Sequence, residues 1–289
     1  MISKKYIKQY IPPIVYEKIT DIKVLLHRKE CRPLPIVENN RKVIIIGNGP
    51  SLNETIRDYT SILQKTDCFM VNQSAVSDYF ELIRPCYYVI VDPFYFVKQE
   101  ENENIPLLLN AFKNKLEWKL KIFVPYAMKE SIIVKELREN NNIDVLFLNS
   151  VMLTGKEYIR GEKWYKRWNQ NKLFPLSQTV LNTSTSIAIA MGYKEIYLVG
   201  ADTSWIEMLR VDQHNNDLYW EEAHFYGVKK ELVANYNPEK SNVAVELEAN
   251  KRVLDSYQIL REYAAYNACK VYNASAYSYI DNLERRTLE

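Results

Sequence analysis

The sequence contains few of the residues that usually mark metal, redox and nucleotide chemistry. Its 289 residues include three histidines, four cysteines and seven glycines. The cysteines lie apart, with no Cys-x-x-Cys spacing, which argues against a zinc or dithiol motif and favours reduced thiols in a cytoplasmic protein. The Asp-x-Asp pair typical of metal-dependent sugar transferases is missing, and so is a Gly-x-Ser-x-Gly nucleophile elbow. We therefore expect chemistry without a metal or a serine nucleophile.

Long apolar runs and a strong overall charge are also missing. No run of about 18 apolar residues occurs, which excludes a transmembrane helix, and the start of the chain lacks the apolar core of a signal peptide. A net charge of +2 gives no case for nucleic-acid binding. Residues 1–40, however, are rich in lysine and arginine, with apolar residues at roughly helical spacing. This basic arm is compatible either with binding to an anionic membrane surface or with forming a helix that packs on the domain or on a partner.

Residues 41–289 alternate between short apolar runs and helical patterns. "KVIIIG", "DCFMV", "YYVIV", "KIFVP" and "KEIYLVG" are typical of buried parallel strands, and the segments between them show helical periodicity. Ser51 followed by Glu54 fits a capping box at the start of the first helix. The pattern predicts a single α/β domain with a mainly parallel, doubly wound sheet. Two less regular regions, about 155–176 and 203–240, are predicted to be loops or a lid-like insertion over it.

In an open parallel sheet, ligands bind beyond the carboxyl ends of the strands. The residues that follow the predicted strands are mostly polar, and this convergence predicts a binding cleft. They are Gly47, Asn48, Gly49, Pro50 and Ser51 after the first strand, Asn72 and Gln73 after the second, Asp92 after the third, Gly200 and Asp202 after a later one, and Asn273 and Ser275 after the last.

The stretch "GNGPS" leaves two interpretations open. It lacks the third glycine of a dinucleotide fingerprint and the Gly-Lys of a phosphate-binding Walker loop. Two glycines would still let the backbone approach a phosphate, and a helix that begins near Ser51 would point free amide groups at it. Alternatively, the glycines serve only a tight corner between strand and helix.

Two titratable residues are candidates for catalysis. His224, in "EEAHFYG", lies between carboxylates and aromatic residues, where a histidine can act as a general base near neutral pH. A packed or merely hydrogen-bonded histidine fits the same pattern. Asp202 can be a metal ligand, a partner for a sugar hydroxyl, or a helix cap.

Three blocks together resemble a known group of enzymes: "KVIIIGNGPSL", then "NQ" at Asn72 and Gln73, then "GYKEIYLVGAD". Their order and spacing resemble the bacterial sialyltransferases of glycosyltransferase family 42 and the related surface-polysaccharide and flagellin-glycosylation proteins. The resemblance covers about residues 42–280. It implies a single Rossmann-like domain, a GT-A variant with a lid, that transfers a sugar from a CMP-linked donor without a metal or cofactor.

The resemblance also implies roles for individual residues. Asn48 and Gly49 would approach the nucleotide or its phosphate, and Asn72 and Gln73 would face the donor. The segment around Asn182, Thr183 and Ser184 would hold donor sugar or phosphate. Asp202 matches the family's Gly-x-Asp, and Asn273 and Ser275 match a terminal Asn-Ser turn.

The sequence also departs from this family. Its third strand ends in Asp92 and Pro93 where the family has Asn-Pro, and a carboxylate there would repel the carboxylate of sialic acid. Ser204 and Trp205 stand where two phosphate-binding tyrosines are expected. The family's histidine before the long helix is missing, which leaves His224 as the replacement. These departures argue against sialic acid as the transferred sugar more than they argue against sugar transfer.

We therefore expect a metal-independent glycosyltransferase that acts on lipopolysaccharide, capsule or another bacterial surface glycan. Its partners would be a nucleotide sugar and a glycan or lipid-linked acceptor. The basic arm would contact the inner membrane surface. The sequence is also compatible with a homo-oligomer. Two alternatives stay open. One is a Mg²⁺-dependent pyrophosphokinase acting on a pterin, with Asp92 and Asp202 as its carboxylate pair. The other is a nucleotide-sugar-binding protein without catalytic activity.

Overall fold

The structure is a computed structural model. It describes residues 31–38, 41–96, 102–149, 160–172, 179–224, 227–233 and 242–289, with Val15, Lys18, Ile19, Ile22 and Leu26; for 222–224 and 227–231 it describes the backbone alone. The strands are β1 (Lys42–Ile46), β2 (Asp67–Val71), β3 (Tyr87–Val89), β4 (Leu120–Pro125), β5 (Ile143–Leu148), β6 (Glu195–Val199), β7 (Leu209–Val211), β8 (Leu218–His224), β9 (Gly227–Leu232), β10 (Lys270–Asn273) and β11 (Glu284–Arg285). The helices are α1 (Leu52–Lys65), α2 (Tyr79–Ile83), α3 (Asn104–Lys115), α4 (Ile132–Glu139), α5 (Glu162–Asn169), α6 (Val180–Ala190), α7 (Trp205–Met208) and α8 (Val243–Tyr266).

Eight strands form one sheet in the order β11-β10-β6-β1-β2-β3-β4-β5. Every described pairing in this sheet is parallel; for example, Ile44 lies opposite Cys68 of β2 on one side and Tyr197 of β6 on the other. From β1 the chain builds outward through β5, then returns to place β6 on the other side of β1. The strand order therefore reverses between β1 and β6, and such a switch point opens a crevice at the carboxyl ends of the two strands. The predicted α/β fold with a mainly parallel sheet is confirmed.

The central strands are buried on both faces, which explains their continuous apolar runs. Val43 and Ile45 pack into a core under α5, α6 and α8, whereas Ile44 and Ile46 pack into a second core under α1 to α4. All four side chains have no exposed surface. Burying one such side chain stabilises the fold by about 1.5–3 kcal/mol. A three-layer architecture follows, with helices on both faces of the sheet.

The regions predicted as loops or a lid contain regular structure where they are described. Helix α5 lies in the first region and buries Trp164, Tyr165 and Trp168 in the core beside α8. In the second region, β7, β8 and β9 form a separate antiparallel sheet. Some of the aromatic residues that led to the prediction of irregular loops are therefore core residues.

The helix α1 begins where the sequence predicts, but its capping differs. Ser51 is the N-cap residue, yet its side chain makes no capping hydrogen bond. The predicted capping box with Glu54 is therefore wrong, because the Ser51 hydroxyl binds elsewhere.

Most of the basic arm, and parts of both predicted lid regions, lie outside the described residues. Among the residues described, none of the helices is long and apolar enough to span a bilayer.

One buried asparagine ties the N-terminal segment to the far edge of the sheet. The Asn171 side chain donates to the carbonyl oxygens of Arg32 at 2.9 Å and Phe147 at 2.8 Å, and accepts from the Asn149 amide at 3.0 Å. Asn171 itself is 1% exposed and has a φ of 50°, in the left-handed region that asparagine tolerates best among residues with a Cβ.

We expect Asn171→Ala to lower the free energy of unfolding by about 2–4 kcal/mol, because three backbone groups lose their hydrogen-bond partner inside the protein. Asn216→Ala is the matched control, since Asn216 also has a left-handed φ, of 60°, but is exposed. Urea denaturation of both variants measures the difference. Equal losses in the two would mean that backbone conformation, not the hydrogen bonds, sets the cost.

Candidate active site at the carboxyl edge of the sheet

The turns after β1 and β6 are joined directly to each other at the switch point. The Gly47 amide donates to the Val199 carbonyl at 2.8 Å, and the Gly49 amide donates to the Gly200 carbonyl at 2.9 Å. A Cβ on Gly49 would lie 2.7 Å from the Gly200 oxygen, and a Cβ on Gly200 would lie 2.6 Å from the Gly47 oxygen. Gly200 also has a φ of 59°. The glycines of "GNGPS" are thus required by the contact between two turns, which neither sequence interpretation had named.

Asp202 fastens the same two turns through its side chain. One carboxylate oxygen accepts from the Ser51 amide at 3.0 Å, and the other accepts from the Ser51 hydroxyl. Asp202 is 5% exposed, and this burial raises the pKa of its carboxyl, while the hydrogen bonds from Ser51 oppose the rise. Asp202 therefore holds the first turn in place; a catalytic role for it stays a prediction.

The start of α1 has no row of free amide groups for an anion. The Ser51 amide is bound to Asp202, the Leu52 amide donates to the Gly49 carbonyl, and the Asn53 amide donates to the Pro50 carbonyl. The expectation that this helix end presents free amides is therefore wrong.

Asn48 after β1, and Asn72 and Gln73 after β2, differ in how they contact neighbouring segments. Asn48 is exposed, and its side-chain oxygen accepts from the Ser74 hydroxyl at 2.6 Å. The Gln73 amide group donates to the Asn104 carbonyl at 3.1 Å and accepts from the Tyr95 hydroxyl at 3.2 Å. The Asn72 backbone has a φ of 50°, and its buried side-chain oxygen has no hydrogen-bond partner among the described residues.

The residues after β3 and β10 have local structural contacts. Asp92 accepts from the Phe94 amide at 2.9 Å and so caps a short 3-10 helix. The Asn273 side chain accepts from the Ser275 amide, and the Ser275 hydroxyl accepts from the Ala201 amide at 2.9 Å. Asn273 and Ser275 thus fix the end of β10 against the end of β6.

The predicted donor-binding segment in α6 lies in the interior. Asn182, Thr183 and Ser184 have no exposed surface. The hydroxyls of the latter two donate to carbonyl oxygens one turn earlier, at 3.4 and 2.8 Å. Direct contact with a ligand therefore requires a residue nearer the start of the helix, and the role predicted for these three stays untested.

The first turn of α6 is the accessible part of this segment. Thr179 caps the helix by accepting from the Asn182 amide at 3.2 Å, and Val180 and Leu181 are partly exposed. The backbone amides of Val180 and Leu181 make no hydrogen bonds to described residues. A Cβ on Gly47 would lie 3.0 Å from the Leu181 side chain, so this helix end borders the switch point.

A buried hydroxyl lies behind the same helix end. Tyr257 of α8 is fully buried, and burial raises the pKa of its phenol to about 12, although Thr179 and Thr203 nearby lower it. Its hydroxyl lies beside the side chains of Thr179 and Thr203, although no hydrogen bond of full geometry joins them, and the side-chain oxygen of Asn182 has no hydrogen-bond partner among the described residues. The Asn182 oxygen, near the start of α6, is thus left for a ligand or water to satisfy.

The sequence did not single out Thr179 or Tyr257. Thr179 had one signal, a hydroxyl residue directly before the apolar helix, which is typical of an N-cap. Tyr257 had none, because it occupies an ordinary core position of a long helix.

His224 is the last residue of β8 and its backbone pairs with that of Gly227, but its side chain is not among those that the structure describes. Within the described ranges, no three His, Cys, Asp or Glu side chains form a metal site.

Comparison with known proteins gives a matching family and two solved structures. The profile of the family described as "6-hydroxymethylpterin diphosphokinase MptE-like" matches residues 17–208. The MAf glycosyltransferase from Magnetospirillum magneticum AMB-1 has a TM-score of 0.51 and 13% identity; the match covers 94% of this chain and 38% of that one. The sialyltransferase CstII from Campylobacter jejuni, solved with the substrate analogue CMP-3FNeuAc, has a TM-score of 0.43 and 20% identity, and the match covers 85% and 84%.

No curated protein sequence matches the chain significantly. At these identities the structural likeness concerns the fold, and the Rossmann-like fold implied by the sequence resemblance is confirmed. The chain spans well under half the length of the MAf glycosyltransferase.

Proposed function

The chain belongs to the MptE-like family, and we propose that it is a glycosyltransferase that moves a sugar from a nucleotide-activated, CMP-linked donor to a bacterial surface glycan. The family description names a different reaction, transfer of diphosphate to a pterin. The two reactions make different demands on the crevice. A diphosphokinase needs carboxylates free to hold Mg²⁺, whereas a transferase without a metal needs hydrogen-bond donors for the leaving phosphate.

The state of the two candidate carboxylates carries this proposal. Both oxygens of Asp202 accept hydrogen bonds from Ser51, and Asp92 caps its own short helix through the Phe94 amide. Asp202 cannot coordinate Mg²⁺ without weakening the contacts that hold the first turn, whereas Asp92 is exposed and has one oxygen without a hydrogen bond among the described residues. Asp92 alone is therefore available to Mg²⁺, not a pair of carboxylates, and this favours transfer of a sugar over transfer of diphosphate.

We infer that the leaving phosphate binds at the first turn of α6. Among the described residues, the amides of Val180 and Leu181 have no hydrogen-bond partner, and they lie at a helix N-terminus, where the helix dipole favours an anion. The Tyr257 hydroxyl, beside the Thr179 side chain, lies behind the same turn. The exposed Asn48 on the facing turn would contact the nucleotide.

The reaction would be a direct displacement. The oxygen of an acceptor hydroxyl forms a bond to the anomeric carbon, and the bond from that carbon to the phosphate oxygen breaks. The electron pair of the broken bond leaves on the phosphate of CMP, where the two amides stabilise it. The hydroxyl proton passes to a general base, for which we propose His224.

Nucleotide binding tests the proposal. We expect CMP to raise the melting temperature of the wild-type protein equally with and without Mg²⁺. Stabilisation by ATP that depends on Mg²⁺, with none by CMP, would instead support the diphosphokinase. Binding of CMP without turnover of any activated sugar would support a binding protein without catalytic activity.

The variant Val180→Pro tests the phosphate position. Proline is favoured at the first position of a helix, so the variant removes one amide donor and leaves α6 intact. We expect CMP affinity to fall about tenfold or more, since a hydrogen bond to a charged group contributes about 1.5–3 kcal/mol. Val180→Ala, which keeps the amide, is the control. Equal CMP affinity in the two variants, measured by calorimetry, would place the phosphate elsewhere.

The acceptor is proposed to lie at a membrane. In the N-terminal arm, Val15, Ile19, Ile22 and Leu26 are helical and exposed, at a spacing that puts them on one face, with Lys18 beside them. An apolar face next to basic residues is suited to an anionic membrane surface. This supports a peripheral position on the inner membrane face, near lipid-linked glycans.

A further inference from the structure

Two exposed tyrosines converge on one carboxylate beside the proposed active site. The hydroxyls of Tyr277 and Tyr279 both donate to the same oxygen of Glu207 in α7, at 2.5 and 2.7 Å. The two rings meet edge to face, with their centroids 6.0 Å apart. Tyr277 is 47% exposed and Tyr279 is 37% exposed. We call these three residues the tyrosine platform.

The loop that carries the tyrosines is held by hydrogen bonds to backbone carbonyl oxygens. The Tyr279 amide donates to the Asp202 carbonyl at 2.8 Å, and the Ser278 hydroxyl donates to the Ala201 carbonyl at 2.7 Å. Arg285 donates to the Ser275 carbonyl at 2.8 Å and to the Ser278 carbonyl at 3.1 Å. The loop is therefore held in one position, and it is hydrogen-bonded to the turn after β6.

The platform offers both apolar faces and hydrogen-bond acceptors. The hydrogen bonds from Tyr277 and Tyr279 lower the pKa of Glu207, so its carboxylate stays ionised. Among the described residues, the second oxygen of Glu207 accepts no hydrogen bond. Each tyrosine hydroxyl is used as a donor and can still accept. Exposed rings around an acceptor suit a ligand with an apolar face edged by hydroxyl groups.

A sugar ring has this combination, whereas a lipid lacks the hydroxyls and an acidic partner would be repelled by Glu207. We propose that the tyrosine platform binds the acceptor glycan, with sugar rings against Tyr277 and Tyr279 and sugar hydroxyls donating to Glu207. This rests on the proposed function, because it identifies the acceptor side of the same site. Its contact with the Asp202 turn would place the bound glycan next to the donor.

The test uses the full chain and a printed glycan array that includes bacterial surface oligosaccharides, followed by calorimetry with the strongest binder. We expect the wild type to bind at least one oligosaccharide. Joint replacement of Tyr277 and Tyr279 by alanine should weaken binding at least about tenfold. Glu207→Gln should weaken it as well, since the rings remain but the charge is lost.

Tyr266→Ala is the matched control, because Tyr266 is also an exposed tyrosine, 39% exposed. It is the last residue of α8, directly before β10, and so lies at the amino ends of the strands, away from the platform. The control variant should bind glycans like the wild type. No glycan binding by the wild type, or unchanged binding by the platform variants, would overturn the proposal. So would a dimer that the alanine variant converts to a monomer in light scattering, since the platform would then be a subunit interface.

CMP binding, measured on the same samples, keeps the two proposals separate. Platform variants should retain the CMP-induced rise in melting temperature. If CMP does not bind but the platform variants lose glycan binding, the donor proposal fails and the platform stands. If CMP binds and no glycan does, the platform proposal fails alone.

Discussion

Gly49→Ala is expected to lower the free energy of unfolding by at least about 3 kcal/mol and to leave little folded protein. The new Cβ would lie 2.5 Å from the Asp202 carboxylate carbon and 2.7 Å from the Gly200 carbonyl oxygen. Neither neighbour is the end of a flexible side chain, because one is bound to Ser51 and the other is backbone. The two turns would have to separate. Circular dichroism during urea denaturation measures the loss.

Gly161→Ala is the control for a glycine replacement without a clash. Gly161 has a φ of 107°, but nothing lies within 4 Å of its Cβ position. The Gly161→Ala variant should lower the free energy of unfolding by only about 1–2 kcal/mol, because of backbone strain. A smaller loss at Gly49 than at Gly161 would show that the turns after β1 and β6 can separate at little cost.

Asp202→Ala is expected to lower the free energy of unfolding by about 2–4 kcal/mol, because it strands the Ser51 amide and hydroxyl without an acceptor in the interior. CMP binding should be lost too, since the turn that carries Asn48 is no longer fixed against β6. Denaturation and calorimetry measure the two effects. Loss of CMP binding at full stability would instead make Asp202 a direct contact of the nucleotide.

Asp202→Asn separates hydrogen bonding from charge. Its amide oxygen can still accept from the Ser51 amide, so most of the stability should remain. Burial raises the pKa of Asp202 above the unfolded value of 3.8. The folded state then binds the proton more tightly, so the wild type loses stability as pH rises from about 3.8 through the raised pKa. The asparagine variant should lack this loss; a parallel pH dependence in both proteins would contradict the assignment.

The fold could be predicted because its signals are local. The strand "KVIIIG" is a continuous apolar run because both faces of the sheet are covered. The segment from 203 to 240 was harder to predict, because β7, β8 and β9 pair with one another and not with any other described strand. Charged residues also interrupt the alternation of apolar and polar residues in these strands. Helix α5 was missed for a related reason. Trp164, Tyr165 and Trp168 are large rings among polar residues, a composition that also fits a surface loop.

The sequence could predict which residues gather at the candidate site, but not the contacts they make there. The polar residues at the strand ends do gather at one edge, as expected of parallel strands. The use of Ser51 by Asp202 depends on a partner far along the chain, which no local pattern reveals. The buried position of Thr183 and Ser184 depends on where α6 begins. Because small hydroxyl residues suit both helix interiors and binding sites, their identity alone does not decide between the two.

The contact between Ser51 and Asp202 also bears on how the protein folds. It joins residues separated by 151 positions. Contacts at such separations form late, since a long loop must close first, and they slow folding. During synthesis the first five strands can pair one after another, yet β1 keeps one edge bare until β6 emerges. The crevice between β1 and β6 therefore forms only when folding is complete, and a growing chain that ends before β6 exposes a central strand to aggregation.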